Sequence, residues 1–291
     1  MSSHTYSIFD PAQHAAISKS YGLLPAQTTH RVNLLKVSNI EDGDRILEIG
    51  CGQGDCTTVL ALMYPSSKID AVDPGSLDYG GPETLGEAQE RIKAYEFGER
   101  ISFHQATPVE FLAEVKENDF DVAVLCHCMW YFKGKSEALA VLKAVRAKVK
   151  KLFIAEWGLK SKTPEGQIHL LAALTMGTRE ARIPHSNANI RSALAPVTIK
   201  SLVKEAGFSL SEENWIVPSK TLEDGRWETG MLVRKDKNGE SVFLKTAREE
   251  INDDNSSNML ETMLEVVNQD IVDVGGLENV MCMDVWTGTF E

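Results

Sequence analysis

No run of about 18 apolar residues occurs in the chain, so no segment is expected to cross a membrane as a helix. The opening residues, MSSHTYSIFDPAQH, lack a basic stretch followed by an apolar one; no signal peptide is expected, and a cytoplasmic location follows. Basic residues are in deficit: 30 Lys and Arg stand against 42 Asp and Glu, a net charge of −12. That balance argues against a phosphate-backbone footprint, so no nucleic-acid partner is expected. The one basic run (Arg146, Lys148, Lys150, Lys151) sits late in a helical pattern, where cations suit the helix dipole. Cysteines are few and odd in number, five, at positions 51, 56, 126, 128 and 282. Most fall inside apolar patterns, where a free thiol behaves as a small hydrophobe. A disulfide framework is therefore not expected, and a reducing compartment fits. Cys126-His127-Cys128 has no second Cys/His pair at finger-like spacing, and adjacent strand residues point to opposite faces, so no metal is expected. Repeats and low-complexity tracts are absent as well.

What remains is ordinary globular composition, 43% apolar and 25% charged, in a chain of 291 residues that can bury a large core. It is organised around residues 45 to 57, RILEIGCGQGDCT. Arg45 to Ile49 is a short apolar run of the kind that forms a buried parallel strand. Gly50, Gly52 and Gly54 follow, and Asp55 to Tyr64 reads as a helix closed by Pro65. Glycines admit positive φ and close approach of a ligand to the main chain, and the helix start leaves unpaired amides facing the turn. This is a nucleotide-type cradle with an acid, Glu48, on the preceding strand. The dinucleotide spacing G-x-G-x-x-G fails, because its third glycine falls on Asp55, and no Lys-Ser or Lys-Thr follows to make a P-loop.

Strand and helix patterns alternate from 45 to 157. Strands are expected at Lys68 to Val72, Ile101 to Gln105, Phe120 to Cys126 and Leu152 to Trp157. Apolar stripes between them include Leu85, Ala88, Ile92, Tyr95 and Ala138, Leu142, Val145, Val149. Such alternation predicts a parallel, doubly wound sheet, whose ligands sit beyond the C-terminal strand ends. Gly50, Asp73, Ala106, His127 and Trp157 all fall at such ends. Asp73, 19 residues past Gly54, is placed to accept hydrogen bonds from ribose hydroxyls.

The segment Glu48 to Gly54 resembles the first motif of class I S-adenosylmethionine (SAM) methyltransferases, E/D-x-G-x-G-x-G. Asp73-Pro74, His127 to Phe132 and Ala206-Gly207-Phe208 extend the resemblance over about residues 40 to 220, closest to the group acting on small molecules, often secondary metabolites. It implies a Rossmann-like, mostly parallel seven-stranded sheet with an N-terminal helical cap at 1–40. It further implies a SAM-binding domain at 41–291, a lid insertion at about 160–195 and a helical insertion at about 240–273. The cofactor is then SAM and the product S-adenosylhomocysteine (SAH). Cofactor contacts are expected from Tyr21, Gln27, Glu48, Gly50, Cys51, Gly52, Gly54, Asp73, Pro74, Ala106, Thr107, Cys126 and His127. Relatives carry an acid where this chain has Ala106-Thr107, so adenine contact here falls to backbone or to the Thr107 hydroxyl. The helix start at Asp55 faces the methionine carboxylate, with Glu48 near its ammonium.

The implied activity is methyl transfer to an O, N or S atom of a small, aromatic or cyclic metabolite. His127 is the candidate base, or else a cofactor contact without proton transfer; both readings stand. Trp130, Trp157, His169 and Met176 are candidate substrate contacts, with His185 and Trp215 as further possibilities. A non-methylating, pericyclic-type SAM-binding enzyme is the alternative, and a nicotinamide-dependent dehydrogenase a weaker one. A monomer or homodimer, with a small molecule as the partner, is expected.

Late in the chain a sixth strand is expected over Phe208 to Pro218, two helices over 240 to 273 split at Asp253 to Ser257, and a terminal seventh, antiparallel strand over Val280 to Phe290. Trp227 to Arg234 reads as a possible further strand, and as a competing candidate for the seventh.

Overall fold

A computed structural model describes residues 7–117, 119–183 and 190–291. Two helices, α1 (His14–Tyr21) and α2 (Pro25–Leu35), precede the alternating core. The core runs β1 (Arg45–Ile49), α3 (Asp55–Met63), β2 (Lys68–Asp73), α4 (Leu85–Lys93), β3 (Ile101–Gln105), α5 (Pro108–Glu114), β4 (Phe120–Cys126), α6 (Lys135–Arg146) and β5 (Val149–Trp157). There follow α7 (Pro164–Glu180), α8 (Pro196–Glu205), β6 (Leu210–Ile216), α9 (Asp224–Val233), α10 (Val242–Glu250), α11 (Asp254–Asp273) and β7 (Val285–Phe290).

Local chemistry sets these boundaries. Proline opens α2, α5, α7 and α8, where its missing N–H is no loss. Thr84 and Thr107 build capping boxes with Glu87 and Glu110, and Thr163 caps α7. Gly22, left-handed at φ 64, ends α1 and turns the chain into α2.

The strands form one seven-stranded sheet in the order β3-β2-β1-β4-β5-β7-β6. Six run in the same direction, and β7 runs antiparallel to them between β5 and β6. The inner strands β1, β4 and β5 are buried almost throughout, as their continuous apolar runs demand. Strand order reverses between β1 and β4, so a crevice opens beyond Ile49 and Cys126, where ligands of such sheets bind. A second apolar cluster (Ile168, Leu232, Phe243, Leu260, Leu264, Val267) joins α7, α9, α10 and α11.

The terminal strand is the antiparallel seventh, beginning at Val285 rather than Val280. The break between the two late helices falls at 251–253. Trp227 to Arg234 is not a strand. Trp227 to Val233 belongs to α9, where Leu232 packs into the second cluster and Trp227 and Met231 face solvent. A short run mixing Trp, Met, Leu and Val fits either period, and packing against α7 decides for the helix.

Candidate active site

The glycine turn is built for close approach. Gly50, Gly52 and Gly54 all lie at positive φ (75, 51 and 82°), a region that L side chains avoid. At Gly50 an added Cβ would meet Cys128 Cβ at 2.5 Å, so the turn packs directly on the segment after β4. At Gly52 nothing lies within 4 Å of that position, so the same turn leaves open space on its other side. Asp73, at the end of β2, accepts the Gly52 N–H at 2.9 Å and the Gly75 N–H at 2.8 Å. Each carboxylate oxygen keeps a further lone pair for a ligand hydroxyl. Glu48 is sealed beneath the turn and accepts the Thr57 hydroxyl. Burial pushes its carboxyl up to about 7, against the pull of Thr57, Cys56 and the Arg31 charge.

Beyond β4 lies a cluster of imidazoles. His127 is a non-glycine residue at φ 53, held there by its N–H to Ala155 carbonyl bond of 2.8 Å, which extends the β4–β5 pairing. Left-handed backbone at a bulky residue is sparsely populated and collects at functional sites. Its Nε2 faces His30 Nε2 at 2.9 Å, and its Nδ1 lies 3.4 Å from Glu156 Oε1. Glu156 is in turn fixed by two backbone N–H groups, from Met129 and Trp157, each at 2.8 Å. The Trp157 ring lies near-parallel to His30 and tilted against His127, with His169 at its edge. His169 accepts the Met283 N–H on Nδ1, so its Nε2–H donates to Glu228 at 2.8 Å and the tautomer is set.

Electrostatics keep His30, His127 and Glu156 uncharged. Burial, reinforced by the Arg31 charge, lowers the pKa of His30 and His127 well below the ordinary imidazole value. Burial raises Glu156 to about 8 despite its two backbone donors. At neutral pH the relay Glu156–His127–His30 therefore holds a protonated carboxyl and two neutral rings, one ring donating to the other. Both nitrogens of His127 are engaged within the protein, whereas His30 Nδ1 bonds to no described residue.

The other expected residues distribute unevenly. Gln27 reaches the interior and donates to Asp224, leaving its Oε1 sealed without a partner. Tyr21 instead packs on Tyr95 and Phe97 and donates to Glu96 at 2.6 Å, while Arg91 binds both its carbonyl and Glu83. That knot ties the N-terminal helices to α4. Ala106 donates its N–H to the Asp73 carbonyl at 3.2 Å. The Thr107 hydroxyl is engaged in capping α5 and donates to Glu110 at 2.6 Å. Pro74 lies in the turn after β2, and Cys51 and Cys126 are buried beside the glycine turn and at the end of β4. Trp130 is buried and donates from its indole to Leu194 at 3.3 Å, and Met176 packs between the two apolar clusters. Trp215 is half exposed on the edge strand beneath the Lys160 ammonium. His185 lies outside the described residues.

Sequence reasoning missed His30, Arg31 and the acids Glu156, Asp224 and Glu228. Gln27 was the available signal: residues three and four positions later on a helix share its face, and those are His30 and Arg31.

Residues 46–151 match the family of methyltransferase domains. Over 228 residues the chain is 26% identical to Methyltransferase phomM of Diaporthe leptostromiformis, covering 65% of this chain and 59% of that one. The chain thus spans about three-fifths of the length of the curated relatives it matches over this stretch. A 77-residue stretch is 31% identical to trans-aconitate 2-methyltransferase of Rhodopseudomonas palustris, covering 26% of this chain and 28% of that one. In fold, the chain superposes with TM-score 0.79 on a cyclopropane-fatty-acyl-phospholipid synthase-like protein from Lactobacillus casei, at 24% identity, covering 97% of this chain and 99% of that one.

Proposed function

The chain belongs to the class I S-adenosylmethionine-dependent methyltransferase family, and from that premise we propose that it transfers a methyl group from SAM to an O, N or S atom of a small metabolite, aromatic or cyclic in character. The residues present fit that cofactor. The open face of Gly52 leaves room for it, the Asp73 carboxylate is oriented to accept ribose hydroxyls, and the start of α3 offers unpaired amides to its carboxylate. When bound, SAM supplies a methyl group already activated on a sulfonium.

The chain's own part is to orient, exclude water and move a proton. A thiol, phenol or free amine acceptor needs no strong base, whereas an alcohol or ammonium does. Such a proton would meet His30 Nδ1 first, and the His30–His127 bond shares it between the two rings. Trp157 and the buried His169 close the region against water. The single observation that carries the proposal is the meeting of the open Gly52 turn, Asp73 and the left-handed His127 at neighbouring C-terminal strand ends.

The test is a panel of phenols, alcohols, amines and thiols incubated with SAM and the protein, with SAH release as the readout. Release with one acceptor class supports the proposal and names the atom. Tight SAM binding with no SAH from any acceptor, while a substrate is consumed, would favour a non-methylating rearrangement instead. Binding of NAD but not SAM would discard both.

A further inference from the structure

Two carboxylates on α9, Asp224 and Glu228, stand one turn apart and share a helix face. The segment before β7 fixes that face. The Gly225 N–H donates to Cys282 Sγ at 3.2 Å, and an added Cβ at Gly225 would meet the Met281 carbonyl oxygen at 2.6 Å, so the start of α9 is pinned there. The Met283 N–H, in the same segment, holds the His169 ring that donates to Glu228. The segment then enters β7 at Val285, which pairs with Trp157 at the end of β5. The acids thereby join the cluster beyond the strand ends. Gln27 donates to Asp224 from one turn before His30 on α2, and His169 meets the edge of Trp157 with ring centroids 5.0 Å apart.

Neither acid has a counter-charge bonded to it. His169 accepts on Nδ1 and donates on Nε2, the hydrogen-bond pattern of the neutral ring, so Glu228 gains a bond from it but no charge. Among the described residues, no lysine or arginine forms an ion pair with Asp224 or Glu228. Arg31, one turn after Gln27 on α2, leaves its Nε and Nη1 unbonded, and its one charge against two carboxylates leaves the wall negative.

Gln27 adds an independent sign of a ligand. The residue is 7% exposed, its Nε2 is engaged by Asp224, and Oε1 of the same amide is sealed without a partner. An acceptor left without a donor in an interior is unfavourable, and native structures seldom keep one without a use. Oε1 thus stands beside the Asp224 carboxylate, while Glu228, with 21% of its side chain exposed, opens the face to solvent. Three acceptors, two of them charged, face one another with too few donors. A primary ammonium supplies three N–H donors, a positive charge and no lone pair, whereas a hydroxyl supplies one donor and sets its own lone pairs against those oxygens.

We propose that Asp224, Glu228 and the Gln27 carbonyl hold a cationic amine carried by the methyl acceptor. The proposal rests on the methyltransferase reading and narrows its acceptors to small molecules with a basic nitrogen.

Calorimetric titration of the SAH complex tests it, with amines and alcohols of matched shape: phenethylamine against 2-phenylethanol, and cyclohexylmethylamine against cyclohexylmethanol. Wild type is expected to favour each amine by about 10–100-fold, the value of charge-assisted bonds. Glu228→Gln and Asp224→Asn keep shape and hydrogen bonding but not charge. Each is expected to cut the preference about tenfold, and the double variant to abolish it. SAH affinity and the thermal midpoint, near wild type in all three, show that the variants are folded. Equal affinity for amine and alcohol in wild type, binding of neither, or a preference that survives the substitutions overturns the proposal. So does weakened SAH binding with the amine preference intact, which would place the acids on the cofactor's own ammonium. Wild type that binds no SAH overturns the methyltransferase reading, and the amine site with it.

Discussion

The Nε2 atoms of His30 and His127 face each other at 2.9 Å, one from a helix of the N-terminal cap and one from the end of a central strand. One proton lies between them, so the two rings act as a unit, and His127 has no nitrogen left over for a ligand.

Removing either ring should therefore have the same kinetic effect. For an acceptor that must lose a proton, His30→Ala and His127→Ala are each expected to slow methyl transfer by about 10²–10⁴-fold, with SAH affinity near wild type. Single-turnover rates with labelled SAM measure this. A fast His30→Ala enzyme beside a slow His127→Ala one would leave His30 out of the proton path.

Stability should fall as pH rises from about 6.5 to 8. Glu156, near 8 in the folded chain, lies above the ordinary carboxyl value of about 4.3, so its favourable contribution is complete at low pH and is lost as pH rises through 8. Glu48, near 7, adds to this. His30 and His127 act oppositely: their pKa values are depressed, so their contribution is present above about 6.5 and lost below it. Between about pH 6.5 and 8 the Glu156 effect approaches 1.4 kcal/mol per pH unit. Urea midpoints measured across this window should fall for wild type and flatten in Glu156→Gln.

Asp73→Ala should weaken SAH binding by about 1.5–3 kcal/mol, since a charged acceptor is lost. The Gly52 and Gly75 amides it now fixes also lose their partner. Asp73→Asn, with one acceptor oxygen, should lie between. Unchanged affinity in calorimetry removes Asp73 from the site.

Two glycines of one turn should respond differently. Gly50→Ala drives a Cβ to 2.5 Å from Cys128 Cβ and should lower the thermal midpoint sharply. Gly52→Ala carries about 1–2 kcal/mol of left-handed strain but meets nothing, so the chain stays folded. The new methyl then occupies ligand space, and SAH affinity drops. Differential scanning and calorimetry on the pair make the comparison.

Much of this arrangement is legible in the residues. The glycine turn, Asp73 and His127 announce themselves because turn glycines and strand-end polar groups interrupt otherwise apolar patterns. Trp227 to Val233 did not, because its apolar residues fit two periods and only contact with α7 selects the helix. His30 and Arg31 were hidden for another reason. They sit in a polar helix whose pattern marks no core face, and their importance comes from groups far along the sequence, such as Cys126, His127 and Glu156. The Thr107 hydroxyl, offered by sequence as a ligand contact, is engaged by a capping box that the Thr-Pro-Val-Glu spelling already contained.

The most direct test is incubation of the protein with methyl-labelled SAM and cell extract, followed by mass spectrometry of small metabolites and SAH together. The account predicts labelled methyl in one low-molecular-weight compound, with SAH formed in equal amount, and loss of both in Asp73→Ala. SAM bound but unconsumed, with no metabolite labelled, would contradict it.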